Sequence, residues 1–319
     1  MAKILVTARS FATSLKAKAV LEKENYEIIY NPYGRSLTEN ELIELIPGMD
    51  GLIAGLDEVT EKVIASSQPT LKIIARYGVG YNNVDLHAAR KHNVAVTVTP
   101  GANNIAVAEL AMGLMLAASR NIAQIDTLVR QGSWQRVQGV ELNQKILGII
   151  GLGSIGSEVA KRAYGFNMKI LAYDKSVRQD MIEQYGTEYV ALDELLTRAD
   201  FISLHAPALP ETVGMINEEK LRMMKSSAIL INTARGNLIV EEDLYTALKE
   251  NWIAAAGLDA FVHEPLQNSP LVTLKNVVLT SHVGATTAES ADRMGSMAAE
   301  EVVRVLSGGS PKNPIIKER

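Results

Sequence analysis

The chain has 319 residues, 47% of them hydrophobic and 21% charged, with a formal net charge of −4. That length exceeds what one core ordinarily serves, so two domains are expected, and the mild acidity offers no general attraction to nucleic acid or to an anionic membrane. There is no cysteine, so neither disulfides nor thiolate chemistry contributes, which fits a reducing cytoplasm.

The apolar run at Met1–Thr7 is too short for a signal peptide and reads as a first buried strand. Strand-like runs at Lys3–Thr7, Tyr26–Tyr30, Gly51–Ala54, Lys72–Ala75 and Val94–Val98 alternate with helix-like runs at Phe11–Lys23, Glu39–Ile46 and Val84–Lys91. Such alternation predicts a parallel sheet with helices on both faces. Residues Ala106–Ala118 are apolar all round apart from Glu109. They are too few to span a bilayer, so the helix is expected to be buried, in the core and near a dimer interface.

Lys145–Ile150 reads as a buried strand, followed by Gly151-Leu152-Gly153-Ser154-Ile155-Gly156, a helical pattern through Ala163, a strand at Met168–Tyr173, and Asp174. Strand, Gly-rich turn, helix, strand and acid in this order form the dinucleotide fingerprint. Gly151 allows the tight turn, Gly153 lets main chain approach a pyrophosphate, and Gly156 permits close packing of helix on strand. Ser154 and Ile155 open the helix whose free N–H groups face the anion. Asp174 suits the adenosine ribose and would repel a 2′-phosphate, favouring NAD over NADP. Lys175 and Arg178 close behind it could soften that preference.

Because the fingerprint arrives so late, a second α/β unit is expected to begin after Pro100. Its further strands read as Asp200–Leu204, Ala228–Asn232, Ile253–Leu258 and Val277–Thr280, before a helix at Thr286–Ser307. The expected fold is α/β, with two Rossmann-like or flavodoxin-like domains. Residues 101–284 would bind the nucleotide, and residues 1–100 with 285–319 would form a discontinuous substrate domain.

Three motifs end predicted strands, where open parallel sheets bind ligands. They are Ile231-Asn232-Thr233-Ala234-Arg235-Gly236, Gly257-Leu258-Asp259-Ala260-Phe261-Val262-His263-Glu264-Pro265, and Thr280-Ser281-His282-Val283-Gly284-Ala285. Arginine offers a planar fork for a carboxylate, and histidine is an acid or base near neutrality. On residue type alone, His263 rivals His282, whereas His87 and His92 flank a charged helix and read as surface residues.

With these motifs and Gly78-Val79-Gly80, the whole chain resembles the D-isomer-specific 2-hydroxyacid dehydrogenases. The resemblance implies an active site in the interdomain cleft, with Arg235, Glu264 and His282 as the catalytic set. Arg235 would hold the substrate carboxylate, His282 would carry the proton, and Glu264 would orient the imidazole. NAD is the implied cofactor, and no metal is expected. Val107, Ala206, Pro207, Thr233, Ala234, Arg235, Asp259, His282, Gly284 and Ala285 would join the fingerprint on the cofactor side. Arg76, Gly78, Val79, Gly80 and Asn103 would meet the substrate with Arg235 and His282.

The apolar helix at Ala106–Ala118 points to a homodimer, and the resemblance further implies a small-molecule acid as substrate, with 3-phosphoglycerate and serine biosynthesis first in order. Hydroxypyruvate or glyoxylate comes next, then D-lactate-type acids. Arg76 and Arg136 are the expected phosphate contacts, but Gly55 stands where phosphoglycerate enzymes commonly carry arginine. No serine feedback is expected, since the chain ends shortly after its last helix. Glu264 disfavours the formate enzymes of this fold, and methyl transfer would have no need of the Arg–Glu–His set. A non-catalytic NAD-sensing corepressor is the reading from outside catalysis, disfavoured by the lack of a basic surface run.

Overall fold

The structure is a computed structural model that describes residues 1–315. The chain divides into two compact units, one of Met1–Asn103 with the segment from Ala285 onward, the other of Asn104–Gly284.

The first unit holds five parallel strands, β1 (Lys3–Val6), β2 (Glu27–Tyr30), β3 (Gly51–Ala54), β4 (Ile73–Arg76) and β5 (Ala95–Thr97), in the order β2-β1-β3-β4-β5. Every residue of β3 and β4 is buried, because helices cover both faces of the sheet. Leu5 packs with Leu42 and Ile64 on one face. Its neighbours Ile4 and Val6 pack with Ala17, Met294 and Val302 on the other, following the two-residue period of a strand.

The single helix expected over Phe11–Lys23 is broken in two, a 3-10 turn at Arg9–Thr13 and an α-helix at Leu15–Glu22. Ser14 stands between them with extended backbone, and its hydroxyl accepts from Ala17 N at 3.0 Å. That is the N-cap arrangement through which serine starts helices rather than continuing them. A further helix, Glu61–Ser66, escaped the sequence pattern for its brevity; Thr60 caps it.

The second unit holds seven parallel strands in the order β12-β11-β10-β9-β6-β7-β8. They are β6 (Ile146–Ile150), β7 (Lys169–Tyr173), β8 (Glu188–Tyr189), β9 (Phe201–Leu204), β10 (Ile229–Asn232), β11 (Ala255–Leu258) and β12 (Val277–Leu279). The chain runs outward from β6 through β7 to β8, then returns to lay β9 on the other side of β6. That reversal opens a crevice at the C-terminal ends of β6 and β9, the place where such sheets take ligands.

The helix Asn104–Ser119 is buried along nine of its residues. Leu114 lies so close to β11 that a Cβ on Gly257 would stand 2.9 Å from the Leu114 Cβ. Its burial is therefore met within its own unit, and no partner chain is needed to explain its apolar character. The next helix, Ile122–Arg130, has no buried residue. It leads into an extended arm on which Trp134 is 85% exposed. Among the described residues no single helix is long and apolar enough to cross a membrane; these two qualify only as a pair bent by 61°.

Candidate active site

The fingerprint residues form the turn between β6 and the helix Ser154–Gly165. Gly151 has φ +94°, and a Cβ there would stand 2.6 Å from Ala206 N, so the turn lies directly on the main chain leaving β9. Ala206 is buried and Pro207 exposed at that same edge. A Cβ on Gly156 would approach Gly151 O to 2.2 Å, which no side chain tolerates. Gly153 is the helix N-cap, without a side-chain cap and with open space where a Cβ would be. The first backbone bond of the helix comes from Ser157 N to Gly153 O, which leaves the N–H groups of Ser154, Ile155 and Gly156 for an anion.

Asp174 stands at the end of β7, its Oδ2 accepting from Leu152 N at 2.7 Å and its Oδ1 from Ser176 N at 2.9 Å. Lys175 is drawn away to Glu211, and Arg178 donates to Ser157 Oγ and pairs with Asp180. At the end of β10, Thr233 is 8% exposed and its Oγ1 has no partner, an acceptor and donor left for a ligand. A donor-rich turn without side chains, an acid beside it and an unpaired hydroxyl together fit a dinucleotide.

Arg235, Glu264 and His282 follow β10, β11 and β12 in the same unit. His282 Nδ1 meets Glu264 Oε2 at 2.7 Å and Oε1 at 2.9 Å, both side chains about 30% exposed. His263, the rival on residue type, is exposed. Burial pushes the Glu264 carboxyl up. The hydrogen bond and charge of His282, the Phe261 N–H and the charge of Arg235 outweigh it and hold the group below its usual value. Burial draws the Arg235 guanidinium down from its usual value, opposed by the charge of Glu264. Arg235 spends one donor on Ala234 O at 2.7 Å. His282 adopts φ +53°, a conformation uncommon outside glycine that needs its surroundings to hold it.

Around this trio, Asp259, Val107 and Gly284, expected on the cofactor side, make contacts with the loop that carries His282, whereas the roles of Asn232 and Gly236 went unread in the sequence. Asp259 is 1% exposed, with Oδ1 accepting from Thr280 Oγ1 at 2.6 Å and from Val283 N at 2.9 Å, and Oδ2 from Gly284 N at 2.9 Å. It thus clamps the loop on both sides of His282. Val107 packs against the same loop, 3.5 Å from where a Cβ on Gly284 would lie. Asn232, fully buried, accepts from Ala234 N and donates to Arg235 O. A Cβ on Gly236 would fall 1.9 Å from the Phe261 carbonyl carbon, so only glycine lets the β10 and β11 turns meet. An asparagine and a glycine flanking the arginine were the available signals.

In the first unit, Gly78 has φ +142° and its carbonyl accepts from Thr99 N. Val79 and Gly80 are half-buried, as is Ala285, while Asn103 is 8% exposed with Oδ1 unpartnered. Arg76 is only 4% exposed. Its Nε donates to Gly80 O at 2.7 Å and its Nη1 to Ala54 O at 2.7 Å and to Gly55 O. The guanidinium binds the β3 and β4 loops together, and arginine at this position is a strut between carbonyls. Among the described residues no group of three or more histidine or acidic side chains could hold a metal ion.

Residues 112–284 match the family described as D-isomer specific 2-hydroxyacid dehydrogenase, NAD binding domain. The chain is 42% identical over 286 residues to the glyoxylate reductase of Thermococcus litoralis, covering 87% of this chain and 86% of that one. It is 43% identical over 319 residues to the D-3-phosphoglycerate dehydrogenase of Methanocaldococcus jannaschii, covering 99% of this chain but 59% of that one. A solved structure of D-lactate dehydrogenase from Aquifex aeolicus, complexed with NAD and lactic acid, superposes with a TM-score of 0.85 at 28% identity over 99% of this chain and 100% of that one. With the Gly-rich turn, the acid after β7 and the Arg–Glu–His arrangement on one sheet edge, these likenesses make the chain a member of the D-isomer-specific 2-hydroxyacid dehydrogenase family, an NAD-dependent oxidoreductase.

Proposed function

We propose that the protein interconverts a small, unphosphorylated D-2-hydroxy acid and its 2-oxo acid, with Arg235, Glu264 and His282 as the reacting set. The observation that carries this reading is the bond between His282 Nδ1 and Glu264. With Nδ1 engaged, Nε2 is the atom that takes the hydroxyl proton in oxidation and returns it to the carbonyl oxygen in reduction. NAD, when bound, accepts or supplies the hydride at C2. Glu264, kept ionised by its neighbours, fixes the ring and stabilises its protonated form. Arg235 retains donors for the substrate carboxylate, and the main chain of Gly78–Gly80 is a second candidate for the same role. On this reading Asn104–Gly284 is the nucleotide unit and the unit of both chain ends serves the substrate.

Substrate size follows from two positions. Nε and Nη1 of Arg76 are engaged by carbonyls, which weakens it as a phosphate contact. A Cβ on Gly55 would stand 3.1 Å from Asp57 Oδ2 and 3.2 Å from Thr7 O and Ala8 Cα, so that side of the loop is walled off and partly acidic. Glyoxylate and hydroxypyruvate fit this better than a phosphorylated acid. The second reading, 3-phosphohydroxypyruvate, draws support from the phosphoglycerate dehydrogenase that is similar along nearly all of this chain. NADH oxidation with glyoxylate, hydroxypyruvate, 3-phosphohydroxypyruvate and pyruvate separates them. We expect kcat/KM for hydroxypyruvate to exceed that for its phosphate ester at least tenfold. The reverse order favours the second reading, and no turnover of any 2-oxo acid removes both.

The same reading takes the protein as a homodimer. The support is the helix Ile122–Arg130, on which Ile122 is 53% and Val129 46% exposed, continuing into the arm with Trp134. Exposed apolar side chains following one another along one helix and its arm suit a second copy of the chain.

A further inference from the structure

One cavity of about 460 Å³ contains none of Arg235, Glu264 or His282. It lies in the unit of both chain ends, against the helix Ala288–Leu306. Lys16, Ala102, Asp292, Arg293, Ser296 and Met297 line it. Arg293 is half-buried there, and its Nε donates to Ala102 O at 2.7 Å. A guanidinium carries five N–H donors, and this contact uses one; among the described residues the terminal nitrogens meet no protein acceptor. The nearest acid in sequence does not serve them. Asp292 accepts from Ser14 Oγ at 2.7 Å through Oδ1 and pairs with Lys16 at 3.2 Å through Oδ2.

The lining thus holds two cations against one carboxylate that is already paired. A half-buried guanidinium with unused donors is costly unless water or a ligand satisfies it, and its planar fork matches a carboxylate oxygen for nitrogen. Ser296 adds a hydroxyl, and Met297 and Ala102 add apolar wall suited to a carbon skeleton. The volume is several times what one inorganic anion needs.

We propose that this cavity binds a small organic carboxylate, held by the terminal nitrogens of Arg293 with its carbon skeleton against Met297. The site is separate from the proposed reacting set and stands or falls without it.

Calorimetric titration of the NADH-loaded protein with malonate, at constant ionic strength, tests this. Arg235 is a second place for a carboxylate, so wild type, R235Q and R293Q are compared. We expect a binding event that survives in R235Q and is weakened at least tenfold in R293Q. M297E puts a carboxylate on the wall without touching the Arg293–Ala102 contact, and it should weaken the same event. It also decides the matter should R293Q melt below the assay temperature. Inorganic phosphate is expected to bind at least tenfold more weakly than malonate; the opposite order overturns the organic carboxylate as occupant. Malonate binding in which no event is weakened by either R293Q or M297E overturns the site itself.

Discussion

His282 and His205 both follow a strand of the seven-stranded sheet, yet their ring nitrogens meet different surroundings. His282 is bound to Glu264 through Nδ1, which leaves Nε2 for a proton in transit. Replacing it with asparagine is expected to lower turnover by about two to four orders of magnitude, the usual worth of a general acid–base. NADH affinity, read by fluorescence titration, should change less than threefold. Parallel loss of both would make the residue structural.

His205 instead has Nε2 against Ser203 Oγ at 2.8 Å and Nδ1 buried without a partner. Burial pulls its pKa down from 6.5 to about 4. As pH falls from about 6.5 towards 4, the unfolded chain takes up this proton and the folded chain does not, so stability is lost through that window. The loss attributable to this group is about 3 kcal/mol at most. H205Q, which cannot charge, is expected to flatten the fall in denaturation midpoint between pH 7 and pH 4.5; an unchanged slope would assign the acid sensitivity elsewhere.

Among the elements, the turn from β6 into the helix Ser154–Gly165 depends on contacts that only glycine allows. Gly156 is the strictest case, since its Cβ would enter the Gly151 carbonyl oxygen. G156A should push the helix away from the turn and scatter the N–H groups that would face a pyrophosphate. We expect NADH affinity to fall at least tenfold with a lower melting temperature, while the circular dichroism of the fold persists. Wild-type affinity in this variant would mean that the turn does not hold the cofactor. The loop after β12 is organised differently, by a side chain rather than by its absence. Asp259 reaches across from β11 to clamp Val283 and Gly284, and so sustains the positive φ of His282.

For the whole molecule, each unit has its own hydrophobic core, and the helix Ile122–Arg130 and its arm carry exposed Ile122, Val129 and Trp134, whereas the helix before it is buried along nine of its residues. Light scattering should give twice the chain mass of 34.6 kDa. Introducing charge by I122E with V129E should halve it without unfolding the protein. A monomer in the wild type would refute the dimer, and an intact dimer in the variant would place the interface elsewhere.

Sequence alone was enough for the parallel α/β architecture and the late Gly-rich turn, because each is written in local pattern; Arg235, Glu264 and His282 were singled out only through the family resemblance. Strand and helix periods, and glycines at fixed spacing before a helix, need no knowledge of distant residues. Residues brought together from afar were not legible. Nothing near position 236 announces that its glycine must face the Phe261 peptide, or that Asp259 would hold the loop at 283 and 284. The same holds for Arg76: its charge suggested a phosphate, and only the tertiary structure shows Gly80, Ala54 and Gly55 engaging its Nε and Nη1. Local pattern determined the architecture and the Gly-rich turn. Tertiary packing decided which donors and acceptors around that turn and the loops after β10, β11 and β12 are already engaged, because a hydrogen-bond donor can be spent only once.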